Sequence, residues 1–422
     1  LERGVEVKAS DLNRLNATMS EKNFREMFST KLVKQMSDPA AKAKGPAKDE
    51  QSEFLAPEAI EVPDSLKDTI AFAYVPRPVE YHAQHVLALP PTEHLYYLRL
   101  GDVATALNAK RCHASGWTGQ NIKVAMVDTG FYPHPYFVRA GYSLLPTPSP
   151  GSGAPDVDLV GHGTGESANI FAIAPRCTVY GVKQGNSAAS DLETAIAQKP
   201  HVITNSWGWS IDTMDREQLR RENPNMFNEL IDVESVVQIA IEENEITVVF
   251  SAGNGHLSYP ACLPDVIAAG GVTLNEDGSL EASSYASGFD SKLYAGRKVP
   301  DVCGLVGRLE AEPMSAHIML PVPPTSELDG DNFPSKKKGT GWGIFSGTSA
   351  AAPQVAGVVA LLKQIDGKLK PQQIKQVLAL RAVDIVKGKT ATGAKAAAGV
   401  DLATGAGLVD ALRACGYASG IP

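Results

Sequence analysis

From Trp117 onward, short apolar runs with strand character alternate with segments that have helical periodicity. Ile122–Val127 and Ile246–Phe250 are two of the strand candidates. Helix candidates lie between and after the apolar runs, at 190–198, 230–244 and 349–364. Such alternation is typical of a mostly parallel β-sheet with helices on both faces. We therefore expect a three-layer α/β domain.

A chain of 422 residues is longer than one hydrophobic core usually organises, so we expect a main domain with an appendage. The main domain is predicted to cover 93–422, and an amino-terminal extension to cover 1–92. Helical spacing in 11–36 predicts that this extension is mainly helical, with a flexible linker at about 38–53, where Ala, Lys and Pro predominate. The segment 305–339 is expected to be an inserted surface loop.

Composition narrows the possible partners. The net charge of −8 disfavours nucleic acid, and no apolar run reaches the roughly 20 residues that span a bilayer. The five cysteines are scattered without a Cys-x-x-Cys pair, which disfavours a disulfide framework or zinc site and predicts buried thiols. The scattered cysteines and the polar first residues, which lack a signal-peptide core, favour a cytoplasmic location. Secretion is the alternative. The cysteines are Cys112, Cys177, Cys262, Cys303 and Cys415.

Two polar residues stand at the ends of apolar segments, where catalytic groups are often placed. Ser349 stands at the start of the apolar helix candidate 349–364, whose unpaired amides and positive dipole end would favour negative charge on a bound carbonyl oxygen. Its alternative role is a helix-capping serine. Asp128 ends the first strand candidate, at the edge where open α/β sheets place their sites. Its alternative role is a turn-forming residue.

Two further residues lie in glycine-rich turns. His162 stands between Gly161 and Gly163, which leaves its imidazole free to reach a nucleophile, and a structural histidine is the alternative. Asn254 precedes Gly255 after a buried strand candidate. Its carboxamide can donate to an oxyanion, and a tight turn is the alternative.

The order of these motifs is more informative than any one of them. Asp-Thr-Gly, Gly-His-Gly-Thr, Ser-Ala-Gly-Asn-Gly and Gly-Thr-Ser-Ala-x-x-Pro follow one another in a single α/β pattern. This set resembles the subtilisin-like serine proteases (subtilases) over about residues 93–415. The resemblance implies a serine endopeptidase that works through an acyl-enzyme. Ser349 would be the nucleophile, His162 the base and Asp128 its orienting acid, while Asn254 and the Ser349 amide would form the oxyanion hole.

The resemblance also implies where a peptide substrate binds. Two extended segments would pair with its main chain, and a third would edge the pocket for the side chain before the scissile bond. These segments are Gly181, Val182 and Lys183; Ser206, Trp207 and Gly208; and Ser251, Ala252 and Gly253. Trp207 is bulky for such a strand, and it is either a pocket wall or a core aromatic.

The chain departs from the family after His162-Gly163-Thr164, where a second histidine and Val-Ala-Gly are common. Here Gly165-Glu166-Ser167 follows, and we expect altered helix packing behind the site. The resemblance implies no required cofactor, although calcium commonly stabilises subtilases. Asp156 with Asp158 is a candidate ligand pair, and solvated loop acids are the alternative.

Several functional alternatives stay open. The related serine-carboxyl proteases place an acid where this chain has Asn254, and neither Glu80 nor Asp301 is a convincing partner for Ser349. The same triad can serve a peptide ligase or macrocyclase, and the fold can serve as a catalytically silent binding module.

Residues 1–92 are either a prosegment that inhibits the site intramolecularly or a docking extension. The reference pKa of histidine predicts that activity falls as the pH drops through 6 to 7.

Overall fold

The computed structural model describes residues 6–10, 15–36, 53–57, 60, 62–69, 96–185, 187–210, 215–222, 224–308, 316–329 and 339–420. The chain divides into two compact units, residues 1–87 and 88–422. The predicted linker, except for Glu53, lies outside the described residues, as does Glu80.

The described part of the first unit is mixed rather than mainly helical. Its elements are β1 (Glu6–Ser10), β2 (Leu15–Thr18), α1 (Glu21–Phe28), β3 (Leu32–Met36) and β4 (Glu53–Pro57). β1 pairs antiparallel with β2, and β3 pairs antiparallel with β4. Helical spacing therefore predicts α1 but not its neighbours, because β3 pairs with a distant segment that local periodicity does not register.

The second unit contains the remaining β-strands and α-helices. Its strands are β5 (Tyr97–Leu98), β6 (Lys123–Asp128), β7 (Ser143–Pro148), β8 (Thr178–Lys183), β9 (Val202–Asn205), β10 (Trp209–Ser210), β11 (Thr247–Ser251), β12 (Ser258–Tyr259), β13 (Ile267–Leu274), β14 (Leu280–Ala282), β15 (Phe289–Asp290), β16 (Lys298–Val299), β17 (Val302–Leu305), β18 (His317–Pro321) and β19 (Trp342–Phe345). Its helices are α2 (Leu100–Ala106), α3 (Ala109–Ala114), α4 (Pro135–Ala140), α5 (His162–Ile173), α6 (Ala188–Ala197), α7 (Arg216–Glu222), α8 (Pro224–Gln238), α9 (Thr348–Ile365), α10 (Pro371–Arg381) and α11 (Ala411–Ala418).

A mostly parallel sheet forms the centre of this unit. Its strand order is β14-β13-β11-β9-β6-β8-β7, with β17 also paired to β13, and β14 is its antiparallel member. Side chains of β6 alternate between two cores: Val124 and Met126 pack on the side of α5 and α9, while Ala125 and Val127 pack on the side of α6 and α8. This arrangement confirms the predicted three-layer α/β fold.

The segment 305–339 is not a single surface loop. β18 pairs antiparallel with β19 and parallel with β5, and its Ile318 and Leu320 are fully buried. The prediction of a surface loop was wrong for β18 because the prolines and lysines nearby concealed an apolar run whose partner strand lies beyond the segment. Residues 309–315 and 330–338 lie outside the described part of the chain.

The cysteines are free and buried, as predicted. Cys112 on α3 and Cys415 on α11 lie close together where these helices pack, a proximity that their distant positions in sequence do not indicate. Within the described residues, no helix has both the length and the apolar character needed to cross a membrane.

Candidate active site

The four predicted catalytic residues lie near the carboxyl edge of the parallel strands. Asp128 is the last residue of β6, and Asn254 follows closely after β11. His162 is the first residue of α5, and Ser349 is the second residue of α9. Parallel strands bring their carboxyl ends to one edge of a sheet, so residues far apart in sequence converge there.

Asp128 and His162 form a direct pair. His162 Nδ1 lies 2.8 Å from Asp128 Oδ1, which also accepts a hydrogen bond from the Thr129 amide at 2.8 Å. Asp128 is buried, and its Oδ2 has no hydrogen-bond partner among the described residues. Because Nδ1 is engaged by the carboxylate, Nε2 is the nitrogen left to exchange a proton with another group.

The pKa of His162 reflects opposing effects. Burial favours the neutral imidazole and lowers the pKa, but the charge and hydrogen bond of Asp128, with smaller contributions from Glu166 and Asp158, raise the pKa of His162 to about 9. The fall in activity is accordingly expected at a higher pH than the 6 to 7 of the reference value, which takes no account of the carboxylates around the ring.

Asp158 fixes the turn that leads into His162. Its buried carboxylate accepts from Thr129 Oγ1 at 2.9 Å, from the Gly161 amide at 2.8 Å, and from Thr164 through its amide at 2.9 Å and its Oγ1 at 2.7 Å. With both oxygens engaged in this way, Asp158 does not form the predicted calcium pair with exposed Asp156. The described residues contain no cluster of three or more candidate metal ligands.

Ser349 lies in the first turn of α9, after Gly347 at φ +124°. Its hydroxyl donates to the Ser206 carbonyl at 3.2 Å, and the Ser206 hydroxyl donates to the Ser349 carbonyl at 2.8 Å. No hydrogen bond joins Ser349 to His162 among those formed in the described chain. In this structure Ser349 is hydrogen-bonded to Ser206, whereas His162 is hydrogen-bonded to Asp128.

Asn254 is oriented by Thr348. Its Oδ1 accepts from the Thr348 amide at 2.9 Å and from Thr348 Oγ1 at 3.0 Å, which leaves the Nδ2 group to face elsewhere. A Cβ atom built on Gly347 would lie 3.4 Å from Asn254 Nδ2 and 3.7 Å from the Ser349 nitrogen. Both nitrogens thus lie close to Gly347, and the Ser349 amide has no carbonyl partner within its own helix because it lies in the first turn.

Gly181, Val182 and Lys183 do not form a substrate-binding edge. They lie in β8, which pairs with β6 on one side and with β7 on the other, so their main chain is already engaged. A side chain at Gly181 would lie within 2.3 Å of the Phe131 ring, which explains the glycine by packing. The prediction failed because an extended, glycine-containing run looks the same at an edge as inside a sheet.

Ser206, Trp207 and Gly208 follow β9 directly, and Ser206 contacts Ser349 as described. Trp207 Nε1 donates to the Val127 carbonyl at 3.1 Å, and its ring meets Phe250 edge to face. Of the two alternatives for Trp207, these contacts favour the core aromatic.

Ser251 ends β11, and Ala252 and Gly253 connect the strand to Asn254. Ala252 is fully buried, and the Gly253 amide donates to Thr348 Oγ1 at 3.1 Å. The same threonine therefore holds both Gly253 and Asn254. In this structure the segment supports the two donors beside Gly347.

The departure after His162 has a packing explanation. A Cβ atom at Gly165 would lie 2.6 Å from the Phe345 ring, so the ring occupies space that a larger residue would need.

Asp301 was considered above as an acid partner for Ser349 in a serine-carboxyl protease. Its carboxylate instead forms ion pairs with Arg297 at 2.6 Å and with Lys375 at 3.1 Å. These contacts give Asp301 a structural role.

Comparisons with known proteins agree with this architecture. The model of the Subtilase family matches residues 119–407. M-protease of Shouchella clausii (strain KSM-K16) is 28% identical over 285 residues, which is 64% of this chain and 62% of that protein. Subtilisin Savinase of Lederbergia lenta is 27% identical over 285 residues, 64% of this chain and 87% of that protein. The chain thus spans about three-fifths of the length of M-protease.

Two solved structures share the fold. A crystal structure of a lanthipeptide protease aligns with a TM-score of 0.57 and 20% identity, covering 75% of this chain and 94% of that one. Fervidolysin from Fervidobacterium pennivorans, described as a keratinolytic enzyme related to subtilisin, aligns with a TM-score of 0.53 and 23% identity. That alignment covers 74% of this chain and 45% of fervidolysin.

Proposed function

We propose that this chain, which belongs to the subtilase family, is a serine endopeptidase that hydrolyses peptide bonds through an acyl-enzyme on Ser349. The observation that carries the proposal is the 2.8 Å His162–Asp128 pair, formed at the same sheet edge as Ser349 and Asn254. A protein or peptide is the corresponding substrate.

In the first step, the Ser349 hydroxyl leaves the Ser206 carbonyl and turns towards His162 Nε2. Catalytic hydrogen bonds are often loose in a free enzyme and tighten when substrate binds. The imidazole takes the hydroxyl proton as Oγ attacks the scissile carbonyl carbon, and the carbonyl π electrons move to oxygen. Asp128 stabilises the imidazolium without taking up its proton.

The negative oxygen formed in this step needs donors that are already in place. Asn254 Nδ2 and the Ser349 amide both lie close to Gly347, and the amide oxygen of Asn254 is held by Thr348. Donors fixed in advance stabilise the developing charge more strongly than mobile water does, because they need no reorganisation.

The intermediate then collapses. The C–N bond breaks, His162 gives its proton to the leaving amine, and the acyl group stays on Ser349 Oγ. Water attacks the ester with His162 again as the base, and the carboxylic acid product leaves with Ser349 restored. An amine in place of water would give ligation, which is the competing outcome for the same residues.

Hydrolysis in water enriched in ¹⁸O tests the proposal. The full chain is incubated with an unfolded protein substrate, and the products are analysed by mass spectrometry, with Ser349→Ala as the control. We expect internal cleavage with ¹⁸O in the new carboxyl groups and no cleavage by the variant. Joined peptides lacking ¹⁸O would indicate a ligase, and equal cleavage by both proteins would refute the role of Ser349.

A further inference from the structure

Glu166 is a buried acid one helical turn after His162. Its side chain is fully excluded from solvent within α5. One carboxyl oxygen, Oε2, accepts from Asn169 Nδ2 at 2.8 Å, while Oε1 is buried without a hydrogen-bond partner among the described residues. An unpartnered carboxyl oxygen is costly to bury, so its retention beside a catalytic candidate calls for a physical explanation.

The carboxyl group of Glu166 is held in place by a chain of hydrogen bonds. Asn169 Oδ1 accepts from Gln354 Nε2 at 3.2 Å, and Gln354 bonds both the amide and the carbonyl of Leu305, at 2.8 and 2.9 Å. This chain connects α5, α9 and β17. Glu166 therefore cannot move away from His162 without breaking a buried polar network.

Residues four apart on a helix lie on the same face, with Cβ atoms about 6 Å from each other. Glu166 is fully buried, so its carboxylate acts on an imidazolium on the same helix face with less screening than bulk water would give. Burial raises the pKa of Glu166 to about 7, while the His162 charge acts in the opposite direction. The negative charge of Glu166 in turn raises the pKa of His162.

Other titratable groups around Glu166 come from the elements packed on α5. Asp128 on β6 and Tyr285 interact with its charge, and Asp158 acts on His162. α9 contributes the neutral Gln354 and Ser349. The remaining titratable or charged residues on elements packed against α5 are Asp102 on α2, Lys110, Arg111, Cys112 and His113 on α3, Lys123 on β6, Tyr180 and Lys183 on β8, His317 on β18 and Lys363 on α9.

We propose that Glu166 is a positioning residue whose charge sets the pH at which His162 becomes a base. The inference rests on the proposed role of His162. Ionised Glu166 stabilises the imidazolium, so the free enzyme gains a neutral, active imidazole only at a higher pH. The same charge also stabilises the imidazolium that forms as Ser349 attacks. Glu166 is therefore expected to lower activity near neutral pH and to speed the attack of Ser349 in alkaline solution.

The pH profile of kcat/KM for Glu166→Gln tests this role. We expect the acid limb to move down by about 0.5–1 pH unit, because the stabilising charge is gone. We also expect kcat on the alkaline plateau to fall several-fold while KM stays within about twofold, since Glu166 does not contact substrate. Glu166→Asp should restore part of both changes. Asp410→Asn, at a buried acid that caps α11, should leave the limb in place.

A readout that does not need activity separates this inference from the proposed function. The imidazole of His162 is titrated by NMR in full-length Ser349→Ala, with and without Glu166→Gln. Adding Glu166→Gln should lower the titration midpoint of His162 by the same interval of about 0.5–1 pH unit as the acid limb. If the Gln variant does not fold, Glu166→Met replaces it.

An unmoved midpoint in a folded variant, or an equal loss of kcat/KM at every pH, would overturn the role of Glu166. A shifted midpoint in a chain that cleaves no peptide would refute the proposed function and leave the coupling of Glu166 to His162 intact.

Discussion

The two helices that carry the candidate base and the candidate nucleophile begin in contrasting surroundings. At the start of α5, three carboxylates act on His162, namely Asp128, Asp158 and Glu166. At the start of α9 the first turn holds no acid, and the small side chains of 350–352 are buried around it. Negative charge is thus concentrated where a cation forms during the proposed reaction, and neutral donors where an anion forms.

The largest expected effect comes from removing the charge that contacts the base. Asp128→Asn keeps the size of the side chain but loses the carboxylate that fixes the tautomer and stabilises the imidazolium. We expect kcat to fall by about 10⁴-fold with the fold retained. Steady-state kinetics and circular dichroism check this outcome. A fall in kcat of less than tenfold would show that catalysis by His162 does not depend on its pairing with Asp128.

The donors at the start of α9 are expected to contribute less. Asn254→Ala should lower kcat by about 10²- to 10³-fold, because one of two oxyanion donors is lost. Asn254→Asp is the matched variant, since it keeps the shape but presents oxygen in place of the N–H group. If Asn254→Asp retained the original kcat, the Asn254 side-chain amide would not be an oxyanion donor.

The acid limb of the pH profile follows from the charge around α5. The pKa of His162 is raised to about 9, so imidazolium predominates below that pH and cannot accept the Ser349 proton. We expect kcat/KM to fall about tenfold for each pH unit below the limb, as for a single titrating base. Rates measured from pH 6 to 10, with melting curves to confirm folding, test this. A plateau that already begins near pH 7 would contradict the raised pKa.

Asp158 should affect stability more than chemistry. In Asp158→Asn one accepting oxygen becomes a donor that faces other donors, so the turn before His162 loses part of its support. We expect a loss of about 1–3 kcal/mol in the free energy of unfolding. Asp156→Asn, at an exposed site in the same loop, should change it by less than about 0.5 kcal/mol. Equal losses of stability for Asp158→Asn and Asp156→Asn in denaturant titrations would contradict the role of Asp158 in fixing the turn.

The sequence predicts the parts of the molecule that depend on local pattern. The alternation of apolar runs and helical segments gives the three layers, and the strand end at Asp128 and the helix start at Ser349 place both residues at one edge. The glycine beside His162 likewise marks a turn, because Gly161 adopts φ +93°.

Properties that depend on distant partners could not be predicted. Whether Gly181 lies at an edge or inside the sheet depends on β7, and β18 is recognised as a strand from its pairing with β19 and β5. The pKa of His162 likewise requires the positions of carboxylates that the sequence spreads over nearly 40 residues. Local periodicity contains none of this information.

Covalent labelling tests whether Ser349 is an activated nucleophile. The full chain is treated with a fluorophosphonate, digested and analysed by mass spectrometry. We expect one adduct on the peptide that contains Ser349, no adduct in Ser349→Ala, and much slower labelling in Asp128→Asn. A folded chain whose Ser349 peptide stays unmodified, or that labels equally fast without the Asp128 carboxylate, would contradict this role of Ser349.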